Sequence, residues 1–133
     1  MTIFLDFDGT VVEHNYPLIG AENPHSIRII KALQEKGHQI ILNTYRADLN
    51  DGSLQDALDF LNQTHFELIP ILTHTTRKIH PGPFDLAESI RFEKLYIDDI
   101  AENIPLIPNR TLAHGEMVDW ITLEMLLRNR QIL

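Results

Sequence analysis

The chain contains no cysteine, so neither a disulfide framework nor a zinc–thiolate site can form, and a reducing setting, the cytoplasm, is expected. It is also short of positive charge: 11 Lys and Arg stand against 19 Asp and Glu, a formal charge of −8. No dense Lys/Arg cluster appears, so the footprint of a protein that tracks a phosphate backbone is missing and nucleic acid is not expected as a partner. Long apolar runs are lacking as well. Met1 to Leu5 is apolar, but Asp6 and Asp8 interrupt it far short of a signal peptide, and no later run approaches a membrane span. Internal repeats and low-complexity tracts are absent, which removes solenoid and disordered classes.

What is present is an ordinary globular composition, 44% hydrophobic and 23% charged over 133 residues, which predicts a single domain spanning 1–133. Residues 2–7 form a short apolar run that stops at an Asp-Gly turn, the pattern of a buried strand. From Val11 to Ala21 no period is visible and Pro17 and Gly20 interrupt the chain, so this stretch reads as a loop or small flap. Asn23 is expected to cap a helix with Pro24 in its first turn, Ile27, Ile30 and Leu33 on one face and Gly37 as its stop. His38 to Thr44 reads as a second strand, and a helix carrying Leu54, Ala57, Leu58 and Leu61 follows Asp51-Gly52-Ser53. Glu67 to Leu72 reads as a third strand, Phe84 to Phe92 as a short helix, and Leu95 to Ile97 as a fourth strand ending on Asp98-Asp99. A fifth strand is expected near Ile104–Ile107 or Arg110–Ala113, and a closing helix from Glu116 onward, with Trp120 as a packing residue. This alternation predicts an α/β fold in which a parallel sheet is covered by helices on both faces, with ligands bound beyond the carboxyl ends of its strands.

Asp6, Asp8, Thr44, Asp98 and Asp99 all fall at those carboxyl ends. Side chains two apart on an extended segment point the same way, so Asp6 and Asp8 can face one site. Two carboxylates that close call for a hard cation such as Mg2+, which takes oxygen ligands and leaves room for a substrate phosphate, with Asp98, Asp99 or both completing the shell. Asp-Gly is a common turn pair, yet the full Asp-x-Asp-Gly-Thr string is expected by chance in only roughly one chain of this length in five hundred.

The string Asp6-Phe7-Asp8-Gly9-Thr10 resembles the haloacid dehalogenase superfamily of phosphatases and phosphotransferases. The resemblance implies a three-layer Rossmann-like fold, an aspartyl-phosphate mechanism and Mg2+. It assigns Asp6 as nucleophile and Asp8 as acid/base residue. Thr44, after Ile40-Ile41-Leu42-Asn43, matches the phosphate-holding second motif, and Asp98-Asp99 match the acidic fourth motif that joins Asp6 and Asp8 around the metal. Lys78 is the choice for the third-motif lysine, with Arg91 and Lys94 as rivals. Further likeness in Val11-Val12-Glu13-His14, Tyr16-Pro17, Ile19-Gly20, Asn43-Thr44-Tyr45-Arg46 and Tyr96-Ile97-Asp98-Asp99 points to a capless branch found in bacteria and phages. That branch usually continues with an Arg and Gly residues after the acidic pair, whereas Ile100-Ala101-Glu102-Asn103 stands here.

His14, in the flap, and Arg46, after Thr44, are candidate contacts for the leaving group, as is Tyr16. His65, His74, His80 and His114 lack the close pairing of a zinc site. Ser26 and Ser53 lack a Gly-x-Ser-x-Gly turn, and no Gly-x-x-x-x-Gly-Lys string exists. The intervals Asp8–Thr44 and Thr44–Lys78 leave no room for a cap, so an open site is expected, taking a phosphorylated small molecule or an exposed phosphate on a larger one, or covered by a second subunit in a homo-oligomer. The expected activity is Mg2+-dependent phosphomonoester hydrolysis. The alternatives are a metal-binding regulatory domain without turnover, or a phosphotransferase.

Overall fold

Three short strands of apolar and β-branched residues line up so closely that their ends fall in one row. In the computed structural model, which describes residues 1–73, 76–111 and 114–133, β1 (Thr2–Leu5), β2 (Gln39–Leu42) and β3 (Lys94–Ile97) pair in parallel in the order β2-β1-β3. Leu5 sits opposite both Leu42 and Ile97. Ile3, Leu5, Leu42 and Ile97 are wholly buried, as expected of a parallel sheet covered by helices, and the Phe4 and Tyr96 rings stack at 4.8 Å.

The protein is α/β, a three-stranded parallel sheet flanked by helices. The crossover from β1 to β2 runs through the flap and α1 (Ser26–Glu35), which buries Ile27, Ile29, Ile30 and Leu33. Beyond β2 come α2 (Arg46–Leu49) and α3 (Ser53–Asp59), which continues into a π-helical turn at Phe60–His65. The last crossover ends with α4 (Leu86–Phe92), whose first turn is capped by the Asp85 carboxylate accepting from Glu88 N. After β3 the chain forms an antiparallel hairpin of β4 (Leu106–Pro108) and β5 (Glu116–Val118), then α5 (Trp120–Asn129), which lies beside α1.

Three readings of the sequence change, and a fourth, the fifth strand, settles near the first of its two expected places. The strand expected at Glu67–Leu72 is reduced to one parallel bridge between Ile41 and Leu72. Only Ile71 of that run is well buried, Pro70 removes a donor, and the Asn62 carboxamide takes both the Ile71 N–H and its C=O, at 2.8 and 2.9 Å, in place of a neighbouring strand. Asn23 does not cap α1, because its carboxamide turns inward and donates to Thr10 O at 2.9 Å and Val118 O at 2.8 Å. The fifth strand lies at Leu106–Pro108, and Ala113 of its alternative lies outside the described residues. Glu116–Val118 is a strand rather than the start of the closing helix. That helix starts at Trp120, because Asp119 caps it by accepting from Thr122 N at 3.2 Å.

Candidate functional site

The common strand register carries on one residue past the sheet: Asp6 N donates to Ile97 O at 3.0 Å and Asn43 N to Leu5 O at 2.7 Å. Asp6 is thereby set between the ends of β2 and β3, with Asp98 and Asp99 on one side and Thr44 on the other. The chain then turns at once, with Thr10 N and Val11 N both donating to Phe7 O. Gly9 sits in this turn at φ 79°, where a Cβ would lie 2.1 Å from His14 Nε2 and 2.6 Å from Asp99 Oδ2. Only glycine fits there. The C-terminal elements brace the turn: Val118 N donates to Gly9 O at 3.0 Å, and the buried Trp120 donates its Nε1–H to Thr10 O at 2.8 Å.

Asp6, Asp98 and Asp99 form a cluster in which one carboxylate oxygen from each lies within 4.8 Å of the others. Thr10 knits it together, its hydroxyl donating to Asp6 Oδ2 at 3.0 Å and accepting from Asp99 N at 3.2 Å. Burial, then repulsion from Asp98, pushes the Asp6 carboxyl well above its ordinary value, although Lys78 opposes this. Burial also raises Asp98, again against Lys78. Asp99 behaves differently: burial would raise it, but the His14 hydrogen bond, at 2.8 Å, helps hold it below the ordinary value. Three crowded carboxylates with oxygen donors only, two of them driven toward their neutral forms, suit a hard divalent cation that would restore the charge balance.

Lys78 lies in a segment without regular structure, yet its ammonium is placed between two carboxylates, 3.1 Å from Asp6 Oδ1 and 3.0 Å from Asp98 Oδ2. It also lies 4.3 Å from the Tyr45 ring centroid. Burial disfavours the ammonium, but Asp6 and Asp98 outweigh it and raise the lysine above its ordinary value. The backbone explains the placement. The Asn43 carboxamide exchanges two 2.8 Å hydrogen bonds with Ile79 N and O, and Asp48 Oδ1 accepts from Lys78 N at 3.0 Å. The segment is thus tied to the end of β2 and to α2. Neither rival reaches the cluster: Arg91 lies over the Phe92 ring, and Lys94 starts β3 opposite Thr2, at the far end of the strand from Asp98.

Asp8, expected among the metal ligands, is not one of the three clustered carboxylates, and its side chain is paired with Arg46, Nε to Oδ2 at 2.8 Å and Nη2 to Oδ1 at 2.7 Å. Arg46 is itself fully engaged. As a leaving-group contact it would need free donors, yet its guanidinium is buried and also donates to the carbonyls of Leu18, Pro17 and Ser53 at 2.8, 3.3 and 3.3 Å. It lies over the rings of Phe7 and Tyr16 as well. Arg46 therefore positions Asp8 and ties the flap to the start of α3.

Asp6, Asp8, Thr44, Lys78 and Asp99 line one open pocket of about 350 Å³, bordered by His14 and Arg46. Thr44 is buried, its Oγ1 accepting from Arg46 N at 3.2 Å. His14 is half-exposed and its Nε2 is engaged by Asp99, whose hydrogen bond raises the imidazole above its ordinary value.

The chain is similar to a conserved protein of Bacteroides thetaiotaomicron. That solved structure shares 26% identity at a TM-score of 0.60, over 98% of this chain and 91% of that one. No family model matches the chain, and no curated protein sequence does.

Tyr16 also lines the pocket, whereas the other histidines weighed from the sequence stay outside it among the described residues. His65 packs edge-on against Phe60 in the π-helical turn, His80 Nδ1 accepts from Gly82 N, and His114 O accepts from Asn109. His74 lies outside the described residues. Ser26 donates its hydroxyl to Val11 O and is structural. Three contributors escaped the sequence reading: the Thr10 hydroxyl, the Asn43 carboxamide and the Asp48 carboxylate. Thr10 and Asn43 lie within the quoted motif segments without an assigned role there, and Asp48, two residues past Arg46, carries no sequence signal of its own.

Proposed function

We propose that the protein is a Mg2+-dependent phosphomonoester hydrolase of capless, Rossmann-like, haloacid dehalogenase type. One observation carries the reading. The carboxyl ends of two neighbouring parallel strands set Asp6 against Asp98 and Asp99, with the Lys78 ammonium spanning Asp6 and Asp98. An anionic nucleophile can meet an anionic phosphoryl group only where positive charge is fixed beside it.

Mg2+, held by Asp6, Asp98 and Asp99, would supply that neutralisation and orient the phosphoryl oxygens. Asp6 attacks phosphorus as the bond to the ester oxygen breaks, and the departing oxygen takes a proton from Asp8. Water then attacks the aspartyl phosphate, gives a proton back to Asp8 and releases inorganic phosphate, with Asp6 regenerated. Thr44 and Lys78 steady the phosphoryl oxygens throughout. Arg46 fixes where Asp8 can deliver its proton.

The open pocket accepts a phosphorylated small molecule or a phosphate exposed on a larger one. One observation favours the alternative, a metal-binding domain without turnover: both Asp8 oxygens are occupied by Arg46, so proton transfer requires one of those bonds to be given up.

The deciding measurement is phosphate release from a phosphomonoester panel with Mg2+ for wild type, Asp6→Asn and Asp8→Asn. Turnover should vanish with Asp6→Asn and drop roughly 10²- to 10⁴-fold with Asp8→Asn. Turnover that survives Asp6→Asn excludes the covalent route. A wild type that neither turns over nor forms a beryllofluoride adduct is the binding domain instead.

A further inference from the structure

The proton donor locates the leaving group. Whatever is bonded to the ester oxygen must leave the polar centre past the pocket's outer rim, and that rim carries four large apolar side chains. Tyr16, Tyr45, Leu49 and Ile100 line the pocket and are 46%, 53%, 49% and 45% exposed. Two aromatic rings and two aliphatic side chains left open to water around one polar centre form an unusual rim, since large apolar side chains gain by burial.

The rim is also ordered in advance. The Tyr16 hydroxyl donates to Asp51 Oδ2, and its ring is 5.4 Å from the Arg46 guanidinium. Tyr45 is held against the Lys78 ammonium. Aromatic walls fixed by their own contacts lose little freedom when a flat ligand docks between them.

Charge points the same way. Among the described residues, the cations bordering the pocket already face acidic partners: Arg46 spends all its donors on Asp8 and three carbonyls, Lys78 sits between Asp6 and Asp98, and His14 gives its Nε2 to Asp99. A second phosphate or a carboxylate on the leaving group would have to compete with these carboxylates for the same cations, and would enter a pocket containing Asp8 and Asp99.

From these contacts we infer that the site selects phosphomonoesters whose leaving group carries a flat, uncharged ring and no second anionic group. The inference rests on the hydrolase reading for its placement of the leaving group beside Asp8.

The test separates the two. With Mg2+ present, turnover is measured for three alkyl monoesters of like reactivity: benzyl phosphate, ethyl phosphate and phosphoglycolate. The matching phosphonates, benzylphosphonate, ethylphosphonate and phosphonoacetate, are titrated by NMR for affinity alone. The expected kcat/KM for benzyl phosphate is at least tenfold above ethyl phosphate and a hundredfold above phosphoglycolate, with the same order in phosphonate binding. Leu49→Lys and Ile100→Lys, both at exposed positions, should each reduce the benzyl preference and raise phosphoglycolate turnover about tenfold. Equal binding of benzyl- and ethylphosphonate overturns the selectivity even if turnover is robust. Preferential benzylphosphonate binding without turnover of any ester upholds the selectivity and removes the hydrolase reading.

Discussion

Arg46 holds both carboxylate oxygens of Asp8 in a two-point ion pair, at 2.8 and 2.7 Å, with the guanidinium out of contact with water. The pair joins the turn after β1 to the start of α2, and through the Leu18 and Pro17 carbonyls it reaches the flap. Removing one partner leaves the other charge without compensation in a largely dry place. Arg46→Ala should therefore cost about 3–5 kcal/mol in urea unfolding. Arg46→Lys keeps the charge but not the planar fork, so it should fold while turnover falls on the order of 10²-fold, because Asp8 is no longer aimed. Wild-type turnover in Arg46→Lys would contradict the positioning role.

A second test falls on Gly9. Its φ of 79° already disfavours a side chain, and a methyl group would collide with the His14 imidazole and the Asp99 carboxylate that meet over it. Gly9→Ala should destabilise the protein by about 1–3 kcal/mol. It should also weaken Mg2+ binding, read as a reduced Mg2+-induced rise in Tm, since Asp99 must move. If Gly9→Ala matches wild type in both readouts, the turn is looser than described.

Much of this site was legible because its parts are local. Asp6-Phe7-Asp8-Gly9-Thr10 and Asp98-Asp99 each end an apolar run at a turn, and parallel register alone brings such ends together. Arg46 was legible as a residue of interest but not by its partner, since nothing in a linear pattern shows that a guanidinium 38 positions away closes on Asp8. The same holds for the Leu72 region, where composition resembles a strand but the Asn62 side chain satisfies the backbone of Ile71. The β5 strand was hidden for a different reason: three residues are too few to show a period of two, and Met117 fits a helical stripe equally well.

Lys78 illustrates the limit most sharply and offers a third prediction. Its placement depends on Asn43, whose carboxamide holds Ile79 by both backbone groups. Asn43→Ala leaves those groups without protein partners and should cost about 1–3 kcal/mol. It should also increase proteolytic cleavage between residues 76 and 83 and lower turnover, although Lys78 itself is unchanged. An Asn43→Ala protein with unaltered protease sensitivity would show that the Asp48 contact to Lys78 N suffices alone.

The cluster itself sets a pH dependence that Mg2+ should reverse. Asp6 is pushed well above its ordinary 3.8 by burial and by Asp98. A carboxyl raised by folding binds its proton more tightly in the folded than in the unfolded chain. Its contribution is therefore fully present below 3.8 and is lost as pH climbs from there toward the folded value. Asp98, also raised, acts in the same direction, and so does His14, whose contribution is present below 6.5 and is lost as pH rises through its raised folded value. Lys78, raised above 10.5, keeps its contribution throughout this range, and the depressed Asp99 loses its own only as pH falls below 3.8. Without Mg2+ the protein should accordingly lose stability as pH rises from 3.8, the ordinary value of the raised carboxyls, to beyond 6.5, that of the raised imidazole. A cation bound by the ionised carboxylates supplies the missing charge, so Mg2+ at a hundred times its Kd should add about 2.7 kcal/mol at the upper end. At the lower end it should add far less, because protons compete for the same oxygens. Asp6→Asn removes the strained charge and should be more stable than wild type at about pH 8 without Mg2+, while its response to Mg2+ collapses. Thermal unfolding of both proteins across this range, with and without Mg2+, checks the argument. A Mg2+ stabilisation that is the same at both ends of the range, or that survives intact in Asp6→Asn, would place the cation somewhere other than the Asp6–Asp98–Asp99 cluster.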